Sequence, residues 1–300
     1  MKKLLVICGA TASGKTALAV ECARRLGGEV VSCDALLVYR GLNIGTAKPT
    51  REEMAGIPHH LIDVAEPTEN FTVHDYEKLA LSAIEDIGAR GKVPVLCGGT
   101  GFYLNAVLFK SGFGHAAADE ALREKYRAIA EEKGKEYLHD LLREVDPESA
   151  AILHPNDVKR VVRALEIFEL TGKKKSQQRD EKIPRFGYEA FALDYPREEL
   201  YARIDRRVEG MFEAGLVGEV EGLLAAGVPE DAQCMQGIGY KEVIEGLKNG
   251  DLRSIMRDII QKNTRNYAKR QLTFFKKLPA LHWLEPSEAA IEEVMRIYDR

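Results

Sequence analysis

Residues 9–16 leave this chain few folds to choose from. Gly9-Ala10-Thr11-Ala12-Ser13-Gly14-Lys15-Thr16 fits the pattern G-x-x-x-x-G-K-[ST]. Its glycines let backbone N–H groups turn inward on phosphate oxygens, and the following helix adds its positive N-terminal end. Lys15 supplies a mobile cation, and the Thr16 hydroxyl can join the shell of a Mg²⁺ ion. The flanks suit the motif. Leu4 to Cys8 is a short apolar run, and Leu18, Cys22 and Leu26 recur at helical spacing over Lys15 to Leu26. A glycine-rich turn that binds nothing is the bland alternative.

The same reading continues along the chain. Glu29 to Cys33 and Val93 to Cys97 read as strands. A helix is predicted over Val73 to Arg90, started by Thr72 with Asp75 three residues on. Strands alternating with helices predict an α/β fold, a P-loop parallel sheet flanked by helices. After Gly112 the pattern changes. From Asp119 to Thr171 only helical periodicity is found, with Gly172 closing the last helix. Residues 113–185 are therefore expected to form an all-helical insertion domain in a core made of 1–112 and 186–300. In the second part of that core, Tyr188 to Leu193 and Leu281 to Leu284 read as strands. Arg197 to Ala225 and Ser254 to Lys277 read as long helices.

Composition excludes several classes. The 300 residues are 45% hydrophobic and carry a net charge of -4, so a nucleic-acid surface would have to be local. Five cysteines without a Cys-x-x-Cys suggest neither a disulfide framework nor a zinc site, and point to reduced thiols in the cytoplasm. No segment approaches the roughly 18 apolar residues of a membrane span. The opening Met-Lys-Lys-Leu-Leu imitates a signal peptide, but its apolar run is short and leads straight into the glycine loop.

The loop alone does not choose the phosphate compound. The usual occupant is a nucleoside triphosphate, with Mg²⁺ held by an acid at the end of another strand. Val93 to Cys97 ends instead in Gly98-Gly99-Thr100-Gly101. Asp34 follows the second strand, on the rim it should share with the P-loop. It could accept a proton from an incoming nucleophile or simply cap a turn. A small-molecule or nucleoside kinase with a helical lid fits these features, as does a P-loop module that binds RNA without catalysis.

Longer strings narrow the choice. Ser32-Cys33-Asp34 through Tyr39, Asn43-Ile44-Gly45-Thr46-Ala47-Lys48-Pro49, Pro58-His59-His60-Leu61, Gly98-Gly99-Thr100-Gly101, His154-Pro155-Asn156-Asp157 through Arg163, Gly237-Ile238-Gly239-Tyr240-Lys241-Glu242 and Lys269-Arg270-Gln271 occur in this order. Together with the P-loop they resemble the tRNA dimethylallyltransferase family over nearly the whole chain. The resemblance implies transfer of a dimethylallyl group from dimethylallyl diphosphate to the N6 amine of the tRNA adenosine just 3′ of the anticodon. It implies Asp34 as acceptor for that amine. Thr100, the P-loop and Arg203 would contact the diphosphate, with Mg²⁺ on Thr16. It further implies tRNA contacts from Asp34-Ala35-Leu36-Leu37, Arg123, Lys159-Arg160-Val161-Val162-Arg163, Gln236 through Lys241, and Lys269, Arg270, Gln271 and Phe274. The insertion would clamp the anticodon stem-loop, and the enzyme would act as a monomer. Ala35 stands where the family often has serine.

One further feature favours RNA. Lys262, Arg265, Lys269 and Lys276 fall on one face of the helix expected there, with Tyr267, Phe274 and Phe275 interleaved. The basic face suits phosphates, and the aromatics suit a core. His59 and His60, being adjacent, would point apart on a strand and form no joint metal site.

Overall fold

Leu4–Cys8 (β1), Glu29–Ser32 (β2) and Pro94–Gly98 (β4) are buried along their whole length, as strands covered on both faces must be. The computed structural model describes residues 3–110, 119–177 and 183–299. The chain forms two units, Met1–Leu108 with Pro184–Arg300, and Phe109–Ile183. The boundary expected between 112 and 113 lies outside the described residues, and the chain rejoins the first unit at Pro184 where 186 was expected.

In the first unit, α1 (Lys15–Leu26) links β1 to β2, and β3 (His59–His60) and α2 (Val73–Ala89) lead to β4 and α3 (Gly101–Leu108). The second unit holds α4 (Glu120–Lys133), α5 (Lys135–Val145), α6 (Pro147–Ile152) and α7 (Val158–Thr171). The chain then adds β5 (Tyr188–Leu193), α8 (Arg197–Glu213), α9 (Leu216–Ala225), α10 (Tyr240–Asn249), α11 (Arg253–Phe275), β6 (Leu281–Leu284) and α12 (Ala290–Tyr298) to the first.

The sheet order is β3-β2-β4-β1-β5-β6, and all its pairs are parallel. Cys8 is level with Gly98, and Ser32 with Cys97, so the segments after β1, β2 and β4 emerge on one rim. Leu5, Ile7, Val30 and Val95 pack with Leu18, Ala19 and Cys22 of α1 and Val294 of α12. Burying each valine, leucine or isoleucine among them contributes about 1.5–3 kcal/mol.

The N-cap of α2 is the expected capping box of Thr72 and Asp75, and Gly172 closes α7 in the left-handed region at φ 65°. The helix expected over 197–225 is two, because Gly215 at φ 99° leaves the helical region and starts α9 anew. Strand β3, too short for any periodicity, is fixed by tertiary contacts. His60 Nε2 lies 2.7 Å from Glu29, whose buried carboxylate also receives Arg90 and Lys92.

The second unit is all-helical among its described residues, around Tyr126, Leu138, Leu142, Val161, Val162 and Leu165. Glu166, fully buried in it, accepts from Asp119 N (2.9 Å), Arg123 Nε (2.9 Å) and Arg163 Nη1 (2.6 Å). Burial pushes the Glu166 carboxyl up, but these bonds outweigh it and hold it below the ordinary range.

Candidate active site

The phosphate loop spans the end of β1 and the start of α1. Ala12 sits at φ 61°, a strained position for a residue with a Cβ. The loop rests on a small apolar cluster of Ala10, Leu200, Ile204 and Ala268, which ties it to α8 and α11. A side chain from α11 completes it. Gln271 accepts from Thr11 N and donates to Gly99 O, both at 2.9 Å. A Cβ on Gly99 would lie 2.3 Å from that amide, and one on Gly98 would lie 2.0 Å from the Cys33 carbonyl. Gly98, the last residue of β4, is thus required by the close approach of the Cys33 backbone, and Gly99 leaves room for the Gln271 amide.

Three cations converge on the loop. Lys15 Nζ donates to Ala10 O at 3.2 Å, and Arg203 Nε donates to Ala12 O at 2.8 Å while its guanidinium stacks on Tyr195. Arg207, one helical turn beyond Arg203, reaches Thr11 Oγ1 at 3.4 Å. Burial, then the charge of Arg207, holds the Lys15 ammonium below the ordinary lysine value. Burial likewise lowers Arg207. Crowded, desolvated cations of this kind suit an anionic ligand. Ser13 Oγ and Arg207 Nε are buried with no partner among the described residues.

A cleft of about 580 Å³ opens over Gly14, Lys15, Thr16, Arg203 and Arg207. It shares Lys15, Thr16, Ala47, Pro49 and Arg207 with an inner cavity of about 90 Å³. That cavity runs past Thr11, Ser32, His59 and Leu37 to Asp34 and Tyr267. One of the two roles expected of Asp34, the turn, is present. Asp34 Oδ1 closes it by accepting from Leu36 N (2.9 Å) and Leu37 N (3.3 Å), and the residue also lines the cavity. Thr100 braces this turn, accepting from Ala35 N at 3.1 Å through Oγ1, and lines neither cavity. Burial, with the nearby Asp34 charge, pushes the Tyr267 hydroxyl up to about 12.

The residues implied for tRNA contact fall in three places. Asp34 to Leu37 meets Gln236 to Lys241, since a Cβ on Gly237 would lie 2.5 Å from Leu36. Lys269 and Arg270 are exposed on α11, while Phe274 packs over Gly101. Arg123 and Lys159 to Arg163 belong to the second unit. Four of the named side chains are withdrawn from solvent, because packing claims them: Val161 and Val162 in the helical core, Tyr240 against Gly45, and Gln271 against the P-loop. The basic face of α11 is also narrower than its spacing suggests, since Arg265 is paired with Asp205 at 2.5 Å.

Sequence reasoning placed Arg207 only in a pattern with Arg203, took Tyr267 for a core aromatic, and gave Ser32 and His59 no role of their own. Only Arg207 carried a signal, its i, i+4 spacing from Arg203. The rest depend on which strands become neighbours.

The site is that of an α/β P-loop protein whose glycine loop shares a cavity with the Asp34 carboxylate. The profile of the IPP transferase family matches residues 37–278. A tRNA dimethylallyltransferase of Acetivibrio thermocellus is 43% identical over 98% of this chain and 95% of its own length. A tRNA dimethylallyltransferase 1 of Trichlorobacter lovleyi is 49% identical over 94% of this chain and 93% of its own. Among solved structures, the full-length tRNA isopentenylpyrophosphate transferase of Bacillus halodurans superposes with a TM-score of 0.74 at 42% identity, covering 100% of this chain and 95% of that one. A eukaryotic dimethylallyltransferase acting on tRNA gives 0.81 at 31% identity, covering 96% and 75%. The chain belongs to the IPP transferase family.

Proposed function

We infer that this protein is a tRNA dimethylallyltransferase that moves the dimethylallyl group of dimethylallyl diphosphate to the N6 amine of the adenosine 3′-adjacent to the anticodon. The observation that carries the reading is the cavity joining the P-loop cations to Asp34. The diphosphate sits on the P-loop amides, Lys15, Arg203 and Arg207. The amine enters on the Asp34 side. Its nitrogen lone pair attacks C1, the C1–O bond breaks, and the electron pair leaves on the α-phosphate oxygen that had been bonded to C1. Asp34 accepts a hydrogen bond from the amine and then its proton. The cations and amides stabilise the charge that develops on the leaving group.

The oxygen atoms beside the P-loop suit Mg²⁺. Thr16, Ser32 and Asp34 line one cavity, and Ser32 Oγ is buried with no partner among the described residues. Among those residues no group of three or more His, Cys, Asp or Glu could hold a metal ion. Thr16 would therefore hold Mg²⁺ together with diphosphate oxygens and water, the usual arrangement for this ion. When bound, Mg²⁺ would add to the neutralisation of the leaving group. We take the protein to act as a monomer in the cytoplasm, where its five free, buried thiols stay reduced.

The direct test is the mass of tRNA nucleosides after incubation with dimethylallyl diphosphate and Mg²⁺. A dimethylallylated adenosine is expected. Protection of the protein against heat by ATP but not by dimethylallyl diphosphate would overturn the reading in favour of a kinase.

Two further outcomes are expected. Diphosphate affinity should be constant while Lys15 is charged and should fall as pH rises through its depressed pKa, because a bound anion raises that pKa again. Lys15→Arg should abolish this alkaline limb. A diphosphate Kd that stays flat up to the ordinary lysine range would dissociate Lys15 from the anion. For tRNA, neutralising exposed Lys262 and Lys269 should lower the slope of log K against log salt by roughly 0.7–0.9 for each phosphate that is no longer neutralised. Neutralising Arg265 should change it less, since Asp205 already balances its charge. Equal effects at all three positions would refute that division of the face.

A further inference from the structure

The loop of residues 43–49 forms no strand or helix, yet Thr46, Ala47 and Pro49 wall the cavity opposite the P-loop. A backbone segment outside any ladder must satisfy its amides elsewhere. Here three consecutive amides converge on one carboxylate. Asn43 N and Ile44 N donate to Glu219 Oε2 at 2.9 and 2.7 Å, and Gly45 N donates to Oε1 at 3.1 Å. The Tyr240 hydroxyl donates to the same Oε1 at 2.6 Å. Glu219 lies in the first turn of α9, where the helix end favours a negative charge. Gly45 packs against the Tyr240 ring, and a Cβ there would sit 2.6 Å from it. At the far end of the loop, Lys48 Nζ donates to Tyr39 O at 2.9 Å and pairs with Asp63 at 2.5 Å.

Between these two pins the loop touches the phosphate machinery. The Thr46 carbonyl accepts from Arg207 Nη2 at 3.4 Å, and Arg207 Nη1 reaches Thr11 Oγ1 at the same distance. Bonds this long weaken steeply with any shift of the loop. We propose that Glu219 is a positioning residue for the diphosphate site: it fixes residues 43–46 so that the Thr46 carbonyl aims the Arg207 guanidinium at the phosphate loop. Glu219 itself does not touch the donor. The inference rests on reading the P-loop cavity as a diphosphate site.

Inorganic diphosphate with Mg²⁺ is the probe, without tRNA. Glu219→Gln keeps the size of the side chain, but its NH₂ group meets donors where an oxygen had met them. Diphosphate Kd should rise about tenfold, within the range for coupled neighbours. Single-turnover transfer at saturating donor should fall by a smaller factor than the Kd rises, since the chemical step loses only part of what Arg207 gives the leaving group. Combined with Arg207→Lys, Glu219→Gln should add little, because Arg207 is the route of its effect. Should Glu219→Gln fail to fold, Tyr240→Phe removes one bond to the same carboxylate and should raise the Kd by about two- to threefold.

A folded Glu219→Gln with unchanged Kd and only a lower thermal midpoint makes Glu219 purely structural and overturns the proposal. Additive effects with Arg207→Lys overturn it as well, as does an unchanged Kd in Tyr240→Phe when that variant stands in. A wild-type protein that does not bind diphosphate removes the site itself, and the proposal falls with it.

Discussion

Asp34→Asn is expected to give a folded protein that binds donor normally and transfers about 10²–10⁴-fold more slowly, the range for a positioned acid–base group. The turn does not depend on the charge. Asp34 Oδ1 accepts from Leu36 N and Leu37 N, and the amide oxygen of asparagine can accept the same two bonds. Asparagine and aspartate cap about equally well, so the thermal midpoint should hardly move. What disappears is the second carboxylate oxygen and the negative charge facing the cavity. Donor affinity should survive because the groups proposed to bind the anion are Lys15, Arg203 and Arg207. tRNA affinity should fall only modestly, since phosphate contacts supply most of it. Thermal stability, donor Kd and single-turnover formation of dimethylallylated adenosine should be measured on one preparation. A stable variant with the wild-type single-turnover rate would confine Asp34 to its turn.

Lys15→Ala is expected to act at the other end of the cavity and in a different parameter. Removing one member of a buried charge pair costs about 2–5 kcal/mol, so donor Kd should rise on the order of 10²–10³-fold. Transfer should fall with it, because the same ammonium stabilises the departing diphosphate. The apo protein should not be destabilised. Lys15 is held below its ordinary pKa by burial and by Arg207, so without an anion the charge is a burden on the fold. A rise in thermal midpoint alongside abolished donor binding would be the signature of that conflict. Normal transfer by Lys15→Ala at low donor concentration would reject the loop as the diphosphate site.

Much of this architecture was legible in residue order. Strand, glycine loop and helix at residues 4–26 need no tertiary information, because hydrophobic period and glycine content are local properties. The Thr72–Asp75 cap and the Gly172 stop are local as well. So is the change to helical period that marks the second unit. The short β3 is not local. His59 and His60 carry no periodicity, and only the neighbouring β2 with Glu29 makes them a strand. The division of 197–225 turned on the single backbone angle of Gly215.

The candidate site divides in the same way. The sequence by itself determined the P-loop motif at residues 9–16 and put Asp34 on the same rim, since both follow strand ends in a parallel sheet. It also determined, through motif strings, the family. Only the tertiary structure decided which named side chains are available. Val161 and Val162 sit among charged neighbours in sequence, yet they face a core, because successive helical positions point in different directions. Gln271 stands in a basic stretch and turns inward to hold Thr11 and Gly99, 260 and 172 residues away. Glu219 and Arg207 acquire their roles the same way, from partners brought near by the sheet order. The physical reason is that burial and hydrogen-bond partnership are properties of neighbours in space, and a sequence states only neighbours along the chain.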